Sequence, residues 1–149
     1  MLLLLARVGL GVVLTAHGCQ KFFEWGMAGT TESFGQMGAP LPGLSAWIAA
    51  IIEFFGGILL IAGAFTSVVG ILVALNMLGA WLIAHVSAGT IFVAKGGPEL
   101  VIALGCGGLL LAAAGAGQWS VDALLARRQR APGTAGAAGA TGAATPTAA

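Results

Sequence analysis

The stretch Leu44–Phe65 reads LSAWIAAIIEFFGGILLIAGAF, and its only charged residue is Glu53. A helix that crosses a bilayer needs about 20 predominantly apolar residues, each rising about 1.5 Å. Three other stretches meet this requirement, namely Leu2–Phe23, Val68–Gly89 and Glu99–Gly117. All four are continuously apolar, whereas strands of a membrane barrel alternate over about ten residues. The sequence therefore predicts an all-α fold, a transmembrane four-helix bundle.

The composition excludes a soluble globular protein. Of the 149 residues, 58% are hydrophobic and only 7% are charged, against about 25% charged residues in an ordinary soluble domain. The net charge of +1 leaves no basic patch for nucleic acid, so the expected surroundings are the lipid bilayer and other proteins. We expect one domain over residues 1–126. A disordered tail over residues 127–149 should follow, first basic and then rich in Ala, Gly, Thr and Pro.

Basic residues near the helix ends predict the orientation in the membrane. Lys and Arg concentrate on the cytoplasmic side of membrane proteins. With both termini inside, four arginines lie on the inner side and two lysines on the outer side: Arg7, Arg127, Arg128 and Arg130 against Lys21 and Lys95. The sequence thus predicts a multi-pass protein of the plasma (inner) membrane with both termini in the cytoplasm. The connections over residues 25–43 and 90–97 are then outside.

Polar side chains cluster near the outer end of the first span. His17, Gln20 and Lys21 stand at i, i+3 and i+4 and therefore share one face of an α-helix. Lys21 could also reach the lipid headgroups with its long stem, and His17 could bond a backbone carbonyl. Because His17 lies deeper in the membrane, we expect it to have a partner on another helix.

A single acidic residue, Glu53, lies about 13 Å below the outer end of the second span. Small residues that let membrane helices approach closely surround it on its helix face; they are Ala46, Ala49, Ala50, Gly56 and Gly57. The carboxyl group is therefore expected to face protein, either as a protonated acid or as a carboxylate paired with His17 or Lys21. We expect its partner among His17, Gln20, Lys21 and His85. A purely structural latch between helices is the alternative reading.

Two further polar residues lie near the outer ends of the last two spans. His85 is about 6 Å from the end of the third span, and Glu99 opens the fourth after a Gly-Pro pair. Glu99 is either a pocket residue or an acid at the helix start, with the proline at the first helical position. We infer a polar pocket in the outer half of the bilayer that is formed by His17, Lys21, Glu53, His85 and Glu99, with Gln20 on its rim. Arg7 is expected to snorkel to the inner surface, and Asn76 to bond a neighbouring helix.

Two histidines at similar depth raise the question of a cofactor. Haem can be held in the core of a four-helix bundle, but nothing else in this sequence selects a porphyrin. Zinc is not expected either, because no local spacing such as H-x-x-x-H is present. A quinone remains open as a cofactor, since His17 or His85 could bond its carbonyl oxygen and Glu53 could carry a proton. No catalytic residue is assigned.

The polar residues fall in motifs that resemble a known family. Residues 16–22 read AHGCQKF, residues 47–57 read WIAAIIEFFGG, and residues 97–100 read GPEL. Together they resemble the DoxX family of small four-helix membrane proteins, over roughly residues 2–126. The resemblance implies membrane redox chemistry, because relatives include subunits associated with terminal quinol oxidases and with thiosulfate:quinone oxidoreductase. Other relatives are proposed to assemble with superoxide dismutase and a sulfurtransferase, so the partners implied are oxidoreductases or enzymes of sulfur metabolism.

Three functions fit these observations. The leading hypothesis is a subunit of a quinone- or sulfur-linked redox system whose pocket binds a quinone headgroup or a small sulfur species. The second is a non-catalytic assembly or anchoring subunit, in which the polar residues hold the helices together. The third is a small permease or proton pathway, which would require a homo-oligomer because four helices form a thin pore wall. The residues alone leave open whether the chain is an enzyme.

Overall fold

Six α-helices build the computed structural model, which describes residues 1–130, and no strand occurs in that range. This confirms the predicted all-α fold. The helices are α1 (Leu2–Cys19), α2 (Gly26–Gln36), α3 (Pro42–Ala62), α4 (Thr66–Ala80), α5 (Glu99–Ala114) and α6 (Val121–Arg130). Two π-helical segments continue long helices without a break, Gln20–Glu24 after α1 and Trp81–His85 after α4. A 3₁₀ turn covers Val93–Lys95.

Within residues 1–130, three continuous helical segments are long and apolar enough to cross a bilayer. They are Leu2–Glu24, Pro42–Ala62 and Thr66–His85, with 23, 21 and 20 residues. Helix α5 is apolar but has 16 residues, which corresponds to about 24 Å of helix. It ends before the predicted Gly117 because Gly115 adopts a φ of 76°, a backbone conformation that interrupts an α-helix. The chain is thus a helical membrane protein.

Glycines bring α1 and α3 into backbone contact. A Cβ atom on Gly11 would lie 2.6 Å from the carbonyl oxygen of Gly57, and a Cβ atom on Gly18 would lie 2.5 Å from backbone atoms of Phe54. A larger side chain at either glycine would push the helices apart. The small residues around Glu53 therefore form the contact face of α3. This packing turns the Glu53 side chain into the protein, where the residue is only 5% exposed.

Helices α4 and α5 form a second closely packed pair. A Cβ atom on Gly70 would lie 2.4 Å from the carbonyl oxygen of Gly108, and one on Gly108 would lie 2.7 Å from that of Gly70. Apolar side chains such as Val73 and Leu111 complete the core around this crossing. The bundle therefore consists of the pairs α1–α3 and α4–α5, with fewer contacts between the pairs than within them.

The two pairs are joined at one end of the bundle, which we call the turn end. Gly63 and Phe65, with φ angles of 70° and 52°, reverse the chain between α3 and α4. The Asp122 carboxylate accepts hydrogen bonds from the backbone N–H groups of Phe65 and Thr66 at 2.8 and 3.0 Å. Partial burial raises the pKa of Asp122, but the hydrogen bonds from Thr66 and Phe65 outweigh burial and hold the pKa below its ordinary value. Asp122 thereby attaches α6 to the start of α4.

Arg7 also belongs to the turn end, and the prediction that it snorkels to the membrane surface is wrong. The residue is 1% exposed and donates hydrogen bonds to the carbonyl oxygens of Leu60, at 3.3 Å, and of Trp119. The planar guanidinium group has five donors, so it can serve two carbonyl groups at once. Arg7 therefore connects α1 to the last turns of α3 and to the segment that follows α5.

The connections carry structure that the sequence analysis did not anticipate. The stretch between α1 and α3 contains the helix α2, which packs on α3. The buried hydroxyl group of Thr30 lies 3.1 and 2.9 Å from the carbonyl oxygens of Lys21 and Gly26 and so fixes α2 against the end of the first span. Helix α6 reaches Arg130, so the first four residues of the predicted tail are helical. The remainder of that predicted disordered tail, residues 131–149, lies outside the described residues.

Candidate binding site

A cavity of about 600 Å³ lies between the two helix pairs, at the end of the bundle opposite the turn end. We call this end the pocket end. Helices α1 to α5 all contribute to the cavity wall, which is largely apolar. Its charged, amide, hydroxyl and imidazole side chains are Lys21, Glu53, Asn76, Ser45, His17 and His85. Cavities of about 300–1,000 Å³ with a few polar groups are typical of small-molecule sites.

Lys21 and Glu53 form an ion pair in the wall of this cavity. Lys21 Nζ lies 2.5 Å from Glu53 Oε2, and the two side chains are 11% and 7% exposed. The contact confirms the prediction that Glu53 has its partner among His17, Gln20, Lys21 and His85. Two charges withdrawn from water stabilise a fold only when they are well paired and hydrogen-bonded. The pair therefore links α1 to α3 and places a strong dipole beside the cavity.

Asn76 is a third member of this group, although its sequence position predicted only a hydrogen bond to a neighbouring helix. Its Nδ2 donates a hydrogen bond to Glu53 Oε1 at 3.3 Å, which confirms that it bonds a neighbouring helix. Asn76 also lines the cavity. Because Lys21 and Asn76 donate to different oxygens of Glu53, both carboxyl oxygens act as acceptors, as they do in an ionised carboxylate. The arrangement favours the paired state over the protonated one.

A π-helical turn explains why Asn76 was missed. Asn76 and His85 are nine positions apart, which places them half a turn apart on a regular α-helix at about 100° per residue. The segment Trp81–His85 is π-helical, and a π-turn accommodates an extra residue. This lowers the offset to about 80°, so both side chains can line one cavity. Such turns are frequent at functional sites, and the other one, Gln20–Glu24, carries Lys21.

His17 lines the cavity on the α1 side. The hydrogen bond that we expected from another helix to its ring is not formed within residues 1–130. The expectation of a partner helix is therefore wrong for His17. Its position one helical turn before Lys21 leaves the imidazole free to bond a molecule in the cavity.

One ring nitrogen of His85 forms a hydrogen bond with the loop before α5. Its Nδ1 lies 2.7 Å from the carbonyl oxygen of Gly96. A carbonyl oxygen only accepts, so Nδ1 carries a proton, and the other nitrogen of the neutral ring, Nε2, is an acceptor. His85 in its neutral form can therefore receive a hydrogen bond or a proton from a ligand. It cannot donate to a quinone carbonyl, so of the two histidines proposed for that task only His17 remains.

Two predicted pocket residues, Gln20 and Glu99, do not line the cavity. Gln20 precedes Lys21 by one position, about 100° around the helix, and Lys21 is the residue that contacts α3. The Glu99 Oε1 accepts a hydrogen bond from the backbone N–H of Val93 at 2.9 Å. Glu99 thus fixes the loop at the start of α5, in agreement with its reading as a helix-start acid. Pro98 immediately precedes α5 and is not its first helical residue.

The side chains around the cavity suit an organic ligand better than a metal ion. Within the part of the chain that the structure describes, no group of three or more His, Cys, Asp or Glu residues could hold a metal ion. The cavity instead offers one ammonium, one carboxylate and one amide group, together with two imidazoles. These groups can donate and accept hydrogen bonds in an otherwise apolar space, as in sites that orient polar groups of small molecules.

The fold and the site define an α-helical membrane protein with a buried ion pair beside a cavity between its helices. A family model described as DoxX matches residues 2–86, more than half of the chain. The chain belongs to the DoxX family. The matched part includes α1 to α4 and therefore the polar residues of the cavity, whereas α5 lies beyond it.

Two curated relatives are similar to this chain. A protein of Bacillus subtilis (strain 168) named "Putative oxidoreductase CatD" is 44% identical over 77 residues, which cover 52% of this chain and 54% of the relative. "Inner membrane protein YphA" of Escherichia coli (strain K12) is 34% identical over 84 residues, which cover 56% of this chain and 59% of the relative. The matches thus span little more than half the length of these relatives. No solved structure matches the chain significantly.

Proposed function

We propose that this protein is a subunit of a membrane redox system and that its cavity binds the polar head of a quinone or a small sulfur species. The observation that carries this proposal is the group formed by Lys21, Glu53 and Asn76, which sits in the wall of a largely apolar cavity. An intramembrane ionisable pair is costly to maintain and commonly marks a functional site. The name of the Bacillus subtilis relative supports a redox role.

The cavity residues fit the head of a quinone. Lys21 and His17 offer N–H donors for a carbonyl oxygen, and Glu53 can exchange a proton with the ligand through Lys21 or directly. His85, in the segment that follows α4, supplies an acceptor at Nε2. A bound quinone would supply the electron-carrying chemistry. The electrons would be exchanged with a partner protein, an oxidoreductase or an enzyme of sulfur metabolism.

The proposed location is the plasma (inner) membrane with both termini in the cytoplasm. The excess of arginines at the turn end and in α6 supports this orientation, and the name of the Escherichia coli relative supports a location in the inner membrane. In this orientation the pocket end faces the outside, and a quinone head would be bound in the outer half of the bilayer.

A second candidate function is assembly or anchoring without chemistry. The contact that favours it is the same ion pair, because Lys21 and Glu53 join α1 to α3 and Asn76 extends the group to α4. In that case the polar residues would serve stability, and the loops at the pocket end would recruit the partner.

The test is a binding titration with the purified protein in nanodiscs. The probe is a dimethoxy-methyl-benzoquinone ring without a tail, and binding is followed by calorimetry. We expect Glu53→Gln and His17→Ala to weaken binding at least tenfold. Glu99→Gln and Gln20→Ala are matched controls outside the cavity and should bind within twofold of the wild type.

Thermal unfolding of the same samples separates the two candidate functions. Loss of binding in His17→Ala without a fall in its melting temperature, or in samples of Glu53→Gln that are still folded at the titration temperature, supports the ligand site. Equal binding by the wild type, Glu53→Gln and His17→Ala would contradict it. A fall in melting temperature that accounts for every loss of binding would favour the assembly role instead.

A further inference from the structure

The cavity is bounded by matching faces of α3 and α4. On α3 its wall includes Ile48 and Ile52, and on α4 it includes Leu72, Leu75 and Gly79. Spacings of three, four and seven residues place the side chains on one face of each helix. The two helices therefore present facing apolar stripes to a shared space.

The stripes lie close together near the turn end and apart nearer the pocket end. A Cβ atom on Gly56 of α3 would lie 3.3 Å from Val69 Cγ1 of α4, so the helices touch there. Ten residues further along α4, a Cβ atom on Gly79 would meet no atom within 4 Å. Gly79 nevertheless lines the cavity. The space between α3 and α4 is thus wider in the half of the two helices that is nearer the pocket end, and we call this space the α3–α4 gap.

Several side chains of this gap are exposed although they line the cavity. Ile48, Leu72 and Leu75 are 47%, 42% and 60% exposed. They stand on segments long enough to cross the membrane, Pro42–Ala62 and Thr66–His85. Any surface that they expose outside the cavity therefore faces lipid hydrocarbon. An opening of the cavity between α3 and α4 would therefore lead into the bilayer.

We propose that the ligand of this cavity is an amphipathic, lipid-soluble molecule that enters from the bilayer between α3 and α4. Its polar head meets the Lys21–Glu53–Asn76 group, and its hydrocarbon tail lies in the gap between Ile48 and Leu75. This inference rests on the proposed function for the head site and narrows it, because a small sulfur species has no tail. A tail gains no hydrophobic energy on passing from lipid to an apolar gap, so the head contacts supply affinity and the gap supplies access.

The test compares a benzoquinone ring that carries a decyl tail with the same ring without the tail, each titrated into nanodiscs. Ile48→Trp and Leu75→Trp fill the gap and should weaken binding of the tailed ring at least tenfold while the tailless ring binds within twofold of the wild type. Ile51→Trp and Leu78→Trp are the matched controls, since both residues are exposed on the same helices, at 45% and 46%, and do not line the cavity.

A tailed ring with a photoreactive diazirine near the middle of the tail provides a readout on the wild-type chain. We expect labelling of peptides from residues 48–52 and 72–79. Labelling elsewhere, or unchanged binding of the tailed ring in both gap-filling variants, would overturn the lateral route and leave the head site standing. If the wild type binds neither ring, the head site itself fails, and the inference built on it fails with it.

Discussion

Replacing Lys21 with Met should show how strongly the buried ion pair supports the fold. Removal of one partner of a buried pair costs about 3–5 kcal/mol, and with side chains only 11% and 7% exposed this pair belongs to that class. Asn76 still donates to Glu53 in the variant, and a hydrogen bond to a charged group is worth about 1.5–3 kcal/mol. We therefore expect Lys21→Met to lose about 3 kcal/mol of unfolding free energy.

The companion variants make the measurement a double-mutant cycle. Glu53→Gln should lose about 2 kcal/mol, because the Lys21 ammonium retains a neutral amide oxygen as its acceptor. The double variant carries neither charge and should stay within about 1 kcal/mol of the wild type, as replacements of whole buried pairs do. The coupling energy between the two sites is then at least about 4 kcal/mol.

Equilibrium unfolding in mixed micelles, with increasing sodium dodecyl sulfate, measures these free energies. Helix content followed by circular dichroism is the readout, and Glu99→Gln serves as a conservative control outside the pair. Additive losses within about 0.5 kcal/mol in the double variant would refute the reasoning, because they would mean that Lys21 and Glu53 do not act on each other.

Three further predictions concern the rest of the molecule. Gly11→Ala should lower the melting temperature, because its Cβ would lie 2.6 Å from a carbonyl oxygen of α3, whereas Gly9→Ala meets no atom within 4 Å and should be neutral or stabilising by up to about 1 kcal/mol. The folded pKa of Asp122 lies below the ordinary 3.8, so the stability that its carboxylate contributes is present above pH 3.8 and is lost as the pH falls through the folded pKa. The difference in melting temperature between the wild type and Asp122→Asn should therefore shrink below pH 3.8. In a cysteine-free background, an impermeant thiol reagent should label Ser33→Cys and not Ala137→Cys in intact cells; the reverse pattern would invert the proposed orientation.

The fold class was predictable because hydrophobic length and continuity decide it. A run such as Leu44–Phe65 has no stable position in water, and within a bilayer it must be helical. It was also predictable that Glu53 faces protein and pairs with one of a few polar side chains, since the small residues beside it determine which face of α3 packs against another helix. Local sequence sufficed for both conclusions because each depends on a regular helix of known period.

The remaining site features depend on a π-helical turn and on contacts between residues distant in sequence, and neither can be recognised from local sequence patterns. The π-helical turn Trp81–His85 rotates His85 toward the side of Asn76, and a regular helical wheel separates them. Arg7 was misplaced because its carbonyl partners, in α3 and after α5, are distant in sequence. Gln20 was assigned to the pocket rim because a regular helix places it on the face of His17 and Lys21, and Glu99 was assigned by its depth. Depth places a residue in a layer of the membrane but does not give its direction around the helix.

Because the helix pairs are joined at the turn end, a rotation of one pair about that end would displace its opposite end the most. Helix α3 has 21 residues and is about 32 Å long, so a rotation of about 5° about its turn-end residues would move its far end by about 3 Å. Such a rotation would change the width of the cavity, and Arg7 and Asp122 connect the helices at the end about which it would occur. Substitutions there would act on a ligand beside Lys21 from about 20 Å away, the rise of α1 between Arg7 and Lys21.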